Sequence, residues 1–235
     1  MDISRKLQEV IHNDDLESIQ STLTSVPQTQ AQKELDTSLA LALPARSLST
    51  IQLILQLGAK LNRVSWIAAF TRGEIRFRPR QTPLLTYLLT HGGDPNYMPK
   101  RTPGGCPHPL LPAAEAARMS DAIALRILLS HGAKLLPELL FHTIGLRQNF
   151  NGTATMEVLI HAGADVNYIA RRWSTLLCGA VSIGDKGKVT YLMSRGADPR
   201  HGVEGRHLSA VEYGRRMGRS ELVGIIECGG GDGAP

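Results

Sequence analysis

The stretch Thr175-Leu176-Leu177-Cys178-Gly179-Ala180 decides the fold, together with Gly184, Val189, Leu192, Met193 and Gly196-Ala197-Asp198-Pro199 after it. Thr175 is suited to cap a helix, its hydroxyl accepting from a free N–H of the opening turn. Leu177 and Ala180, three apart, share a face. Gly184 falls where that helix must stop, in a left-handed conformation that only glycine takes without strain. Val189, Leu192 and Met193 then form one apolar stripe at i, i+3 and i+4. Gly196 closes this second helix, and Asp198-Pro199 carries turn chemistry. The stretch spells two short antiparallel helices. A pair this short leaves too much apolar surface bare to stand alone.

Neighbours of the same kind are present. Matching glycines fall at Gly58, Gly92, Gly132, Gly163 and Gly196, spaced by 34, 40, 31 and 33 residues. The residues seven, four and three before each are Ile51, Ile54, Leu55; Leu85, Leu88, Leu89; Leu125, Leu128, Leu129; Met156, Leu159, Ile160; and Val189, Leu192, Met193. All are apolar in a chain that is only 42% hydrophobic, so the repetition is not chance. A period near 33 residues with two helices per unit is the signature of a stacked array.

On these residues the chain resembles the ankyrin-repeat family. Thr37-Ser38-Leu39-Ala40-Leu41-Ala42 and Thr175 to Ala180 match its Thr-Pro-Leu-His-x-Ala opening. Leu55 to Ala59, Leu129 to Ala133 and Ile160 to Asn167 match its close. The resemblance implies an all-α solenoid of stacked helix-turn-helix units joined by β-hairpin-like finger loops. One feature departs from it. The histidine of the opening is replaced by Ala40, Ile67, Leu111, Phe141, Cys178 and Glu212, which predicts a looser array.

The expected organisation is a capping helix pair over 1–30 and about five repeats over 31–205. Those repeats span 31–62, 63–96, 107–136, 137–167 and 173–200; a C-terminal capping repeat (206–228) and a flexible tail (229–235) follow. In the first cap, Leu7, Val10 and Ile11 give one inward stripe and Leu16, Ile19 and Leu23 the other. A basic insertion, Glu74 to Arg80, lengthens the second unit. The third finger is almost absent, because Leu136-Pro137-Glu138 leads straight into the next helix. Arg147 to Gly152 inserts between the helices of the fourth unit.

Composition narrows the function. The net charge of +5 favours an acidic partner. Three cysteines, Cys106, Cys178 and Cys228, form no paired pattern, and Met1-Asp2-Ile3-Ser4-Arg5-Lys6 contains no secretory h-region. A reduced intracellular setting, cytoplasm or nucleus, is expected. No apolar run reaches the roughly 18 residues of a membrane span, so a soluble protein, taken as a monomer, is expected.

Candidate chemistry is sparse. Cys106-Pro107-His108 has the start of a zinc site, but no second Cys/His pair lies at suitable spacing. Cys178 occupies an inward helix position and reads as packing. His91, His131 and His161 sit near helix C-termini, where histidine meets exposed carbonyls. There is no phosphate loop, paired-carboxylate signature or nucleophile elbow. No cofactor, no metal and no catalytic residue is expected.

The basic residues interleaved with aromatics are the candidate site. Arg63, Tyr97, Lys100, Arg101, Tyr168, Arg171, Arg172, Trp173 and Arg200 lie in or beside fingers and are expected to bind a partner. The resemblance implies protein recognition through the concave face and fingers, as an adaptor, inhibitor or regulatory scaffold. Two alternatives stand beside it: a basic module for nucleic acid or another polyanion, and an enzyme with a site assembled between repeats. Nucleic acid is disfavoured by the lack of a recognition helix or stacking module.

Overall fold

The computed structural model describes residues 3–45, 47–61, 82–97, 111–118, 120–145, 152–170, 174–202 and 208–229. Among the described residues there are thirteen helices and no strand. They are α1 (Ile3–His12), α2 (Leu16–Thr24), α3 (Gln28–Ala45), α4 (Leu48–Gln56), α5 (Thr82–Thr90), α6 (Pro112–Arg118) and α7 (Ala122–Ser130). The remainder are α8 (Leu139–His142), α9 (Thr153–His161), α10 (Leu176–Ile183), α11 (Lys186–Ser194), α12 (Ala210–Arg216) and α13 (Ser220–Gly229). The insertions at 74–80 and 147–151, and the tail from 230 on, lie outside the described residues. None of these helices is long and apolar enough to cross a membrane.

The chain divides into two compact units. The first comprises Met1–Pro112 with the turn Ser130–Gly132. Here α1 packs on α2 and α3, and α4 packs on α2 and α3. Leu7 and Ile11 of α1 and Ile19 and Leu23 of α2 are buried, as their spacing predicts. Leu16 is not: it is 38% exposed, because it opens α2 directly after the N-cap Asp15. Thr22 and Val26 are buried beside Ile19 and Leu23.

The opening matched at Thr37 does not start a helix. No glycine or proline interrupts the chain between Pro27 and Pro44, so α3 begins at Gln28 and runs through. Thr37 Oγ1 donates back to Lys33 O (2.7 Å) instead of capping. The boundary expected at residue 30 therefore falls inside α3.

The second unit comprises Ala113–Leu129 and Ala133–Pro235. Helices stack like on like: α10 packs on α12 and α11 on α13, while α10 with α11 and α12 with α13 are the antiparallel pairs. The short α8 packs on α9 and α10. Gly214 is needed for close approach, since a Cβ there would lie 2.7 Å from a Val223 methyl.

The first two stripe residues of each repeat are the core in both units, while of the third residues only Leu89 is buried and Leu55, Leu129, Ile160 and Met193 are half-buried. Ile51, Ile54, Leu85, Leu88, Leu125, Leu128, Met156, Leu159, Val189 and Leu192 are all buried. In every unit the residue after the closing glycine (Ala59, Gly93, Ala133, Ala164, Ala197) donates its N–H to the carbonyl of the second stripe residue, at 2.9 to 3.2 Å. This bond satisfies a helix-end carbonyl and needs a left-handed residue between. The five glycines supply it, with φ between 82° and 102°.

Three second helices, α2, α7 and α11, start from a carboxylate and α4 from the Ser47 hydroxyl, whereas Gly152 before α9 makes no side-chain cap. Asp15 accepts from Ser18 N (3.0 Å), Asp121 from Ala124 N (2.9 Å) and Asp185 from Lys188 N (3.0 Å). Thr175 accepts from Cys178 N (3.3 Å), the cap expected from sequence. Before three of these second helices the left-handed residue is Asp14, Ser120 or Gly184.

Candidate partner-binding surface

Three finger turns share one geometry. Asp94, Asp165 and Asp198 each accept the N–H of the residue two ahead (Asn96, Asn167, Arg200) on a carboxylate oxygen at 2.8 Å. Their carbonyls accept the N–H three ahead, from Tyr97, Tyr168 and His201, at 3.1 to 3.2 Å. An aspartate that bonds its own backbone two residues on is the chemistry of an Asx turn. Tyr97, Tyr168 and His201 therefore hold one register, and Asn96, Asn167 and Arg200 another.

The asparagine register ties each finger to the next closing glycine. Asn96 Nδ2 donates to Gly132 O (2.8 Å) and Asn167 Nδ2 to Gly196 O (3.1 Å). Asn167 Oδ1 also accepts from Asp198 N (2.8 Å). Both bonds are made by α3 in the first unit, where no finger intervenes. Gln32 Nε2 donates to Gly58 O (3.2 Å), and Asp36 Oδ1 accepts from Lys60 N (2.9 Å). Sequence reading missed these ties, although the Asp-x-Asn spacing at 94–96 and 165–167 signals them.

In the last finger the register is occupied by Arg200. It is exposed, and its guanidinium has no partner among the described residues. Tyr168 behaves differently. Its hydroxyl donates to Glu138 Oε1 (3.1 Å), and its ring meets Phe141 edge-on with centroids 6.4 Å apart. It leans over the place where the third finger is missing.

The ankyrin repeat domain of Bcl-3, a unique member of the IkappaB protein family, matches 97% of this chain and 86% of its own. The TM-score is 0.55 at 18% sequence identity. The chain has the ankyrin-repeat fold. An ankyrin repeat domain from Acinetobacter baumannii AYE is also similar, with 18% identity, coverage of 95% and 97%, and a TM-score of 0.46. No family model matches the chain, and no curated protein does.

Of the nine residues expected to bind, the ankyrin-repeat structure describes Tyr97, Tyr168 and Arg200. Tyr168 and Arg200 stand in adjacent fingers joined by the Asn167–Asp198 bond. Arg63, Lys100, Arg101, Arg171, Arg172 and Trp173 lie outside the described residues, as do Cys106 and His108. No group of three His, Cys, Asp or Glu suited to a metal occurs among the described residues.

The histidines do what helix ends predict. His91 Nδ1 donates to Tyr87 O (2.8 Å) and His161 Nδ1 to Glu157 O (2.9 Å). A carbonyl only accepts, so Nδ1 carries the proton in both. Cys178, in the place of the opening histidine, is buried with its thiol 3.5 Å from Leu208 O. His142, at the end of α8, is held below its ordinary value: burial dominates, Glu115 and Glu138 pull it up, and Arg118 pushes it down.

The largest surprise is Lys188. Only 2% of its side chain is exposed, yet it carries an ammonium. Nζ donates to Ile144 O (3.0 Å) and pairs with Asp185 Oδ2 (2.8 Å). Asp185 feels burial most, which raises its pKa, but the hydrogen bonds and charge of Lys188 outweigh it and hold the carboxyl below its ordinary value.

Proposed function

We propose that this chain is a protein-recognition module that binds a partner with an acidic surface along its finger edge, as a monomeric intracellular adaptor or regulator. The observation that carries the reading is Arg200. In the other two described fingers its register is an asparagine spent on the next unit, whereas Arg200 is exposed and has no side-chain partner among the described residues. An arginine released from structural work, one finger from a tyrosine, has the composition of a binding hot spot. The neighbouring Arg171, Arg172 and Trp173 extend that composition along the chain.

The test is affinity capture of the tagged protein from cell extract, with partners identified by mass spectrometry. Arg171→Glu with Arg172→Glu and Arg200→Glu is expected to lose the main partner while melting unchanged. Full capture by that variant sinks the reading. Binding to unrelated nucleic acids with a steep salt dependence would replace it with a polyanion-binding role.

A further inference from the structure

Arg219 is the residue directly before α13, the place from which Asp15, Asp121 and Asp185 cap α2, α7 and α11 and Ser47 caps α4; Gly152, before α9, makes no side-chain cap either. A cation at that place faces the positive end of the helix dipole, which is unfavourable. Arg219 is also half-buried, and its Nε is shielded from water with no hydrogen-bond partner. A shielded donor left unmet is costly. Two local penalties coincide on one side chain. No carboxylate among the described residues pairs with it, and its guanidinium instead lies over Gly184, 3.1 to 3.4 Å from where a Cβ would be.

The surroundings point to an occupant. Arg216 is exposed and likewise has no partner among the described residues. Met217, between the two arginines, is 48% exposed, one of three large apolar side chains exposed among the described residues. Lys186, two residues beyond Gly184, pairs among the described residues with the exposed Glu221 (2.8 Å), a carboxylate that a partner's own can displace. Arginine and methionine together are the composition of an interface core rather than of a solvated rim.

We propose that Arg216, Met217 and Arg219, with Lys186, form a second docking surface for an acidic protein segment carrying an apolar residue. The surface lies at the turns joining first to second helices, the end of these antiparallel pairs away from the fingers. Partner carboxylates answer the charges of Arg216, Arg219 and Lys186, and the partner's apolar side chain covers Met217. A free phosphate would answer the charges but leave the methionine bare, so the observations favour a peptide.

The experiment uses the full chain and a fluorescein-labelled peptide in which glutamates flank a pair of leucines. Arg219→Asp installs the capping residue that starts α2, α7 and α11. It is expected to raise the melting temperature and to weaken peptide binding by about tenfold or more. Arg216→Gln and Met217→Ser, at exposed positions, are each expected to weaken binding without changing stability. Arg200→Glu is expected to leave this affinity unchanged, which keeps the result separate from the finger reading. Unchanged peptide affinity in Arg219→Asp overturns the proposal. So does a drop in its melting temperature with normal binding in Arg216→Gln, which makes Arg219 a packing residue. Equal displacement of the peptide by inorganic phosphate or by a single-stranded RNA also overturns it.

Discussion

The buried ammonium of Lys188 donates to the backbone carbonyl of Ile144, 3.0 Å away and 44 residues earlier. Helix α8 has only four residues and ends at His142. Ile144 lies two residues past that end, and its carbonyl is met by a side chain from α11. The charge is tolerable because Asp185 supplies the counter-ion from the same helix turn. Lys188→Met keeps the stem but strands both partners. It is expected to cost about 3 kcal/mol, read as a lower urea midpoint. An unchanged midpoint would mean that the pair contributes nothing.

The same pair sets an acid limb. Asp185 lies below its ordinary value of 3.8, so the unfolded chain binds more protons than the folded one as pH falls. Its contribution is full above pH 3.8 and is lost as pH drops through the lower folded value. Lys188→Met should flatten this limb when unfolding is followed against pH.

His142 adds a second step nearer neutrality. Its folded pKa is depressed below 6.5 chiefly by burial, so stability is full above that pH and declines below it. His142→Gln is expected to remove the dependence between pH 6.5 and the folded value, without altering the acid limb of Asp185. A pH profile identical to that of the parent would show that burial is not felt there.

Ser120 has φ 59°, a left-handed conformation, and its hydroxyl is buried without a partner. Ser120→Gly relieves both and is expected to stabilise by up to about 1 kcal/mol. The converse holds at Gly184, where φ is 82° and a Cβ would press on Arg219. Gly184→Ala is expected to lower the melting temperature, and a neutral result at both positions would refute the strain.

Asn167 takes two partners from the following unit, Gly196 O and Asp198 N. Asn167→Ala should therefore cost about 1–2 kcal/mol and speed amide exchange at Asp198. Leu128→Asp, at a fully buried stripe position, should cost more than about 3 kcal/mol. Wild-type melting in the second variant would mean that the repeat register is wrong.

The apolar stripe was legible because its period is fixed by helix geometry and its side chains have one possible destination. The closing glycines were legible for a similar reason, since a left-handed residue is needed once per unit. Helix starts were harder. Thr37 sits in an opening motif, but nothing stops the helix that arrives from Gln28, and a motif cannot cap a helix already under way. Leu16 fits a stripe by spacing, yet it is the first residue of α2 and stays 38% exposed. Lys188 was invisible: a lysine beside another lysine and a glycine reads as surface, and its acceptor lies in a different unit. At the proposed binding surface, composition singled out Tyr168 and Arg200 alike. The turn register and the Glu138 contact separate the tethered tyrosine from an arginine with no partner among the described residues.

The junction made by α3 carries a consequence for how this chain can vary. A finger can gain or lose residues between its ends, because Asn167 needs only to reach Gly196 and Asp198. Gln32 and Asp36 do that work from one helix, one turn apart and bonded to each other at 2.8 Å. A single residue inserted between them would swing one about 100° away from the other, and both ties to the next unit would be lost together. Length changes are thereby barred at the first junction and permitted at the fingers, so this chain can diversify its loops only after its first helices have fixed the register.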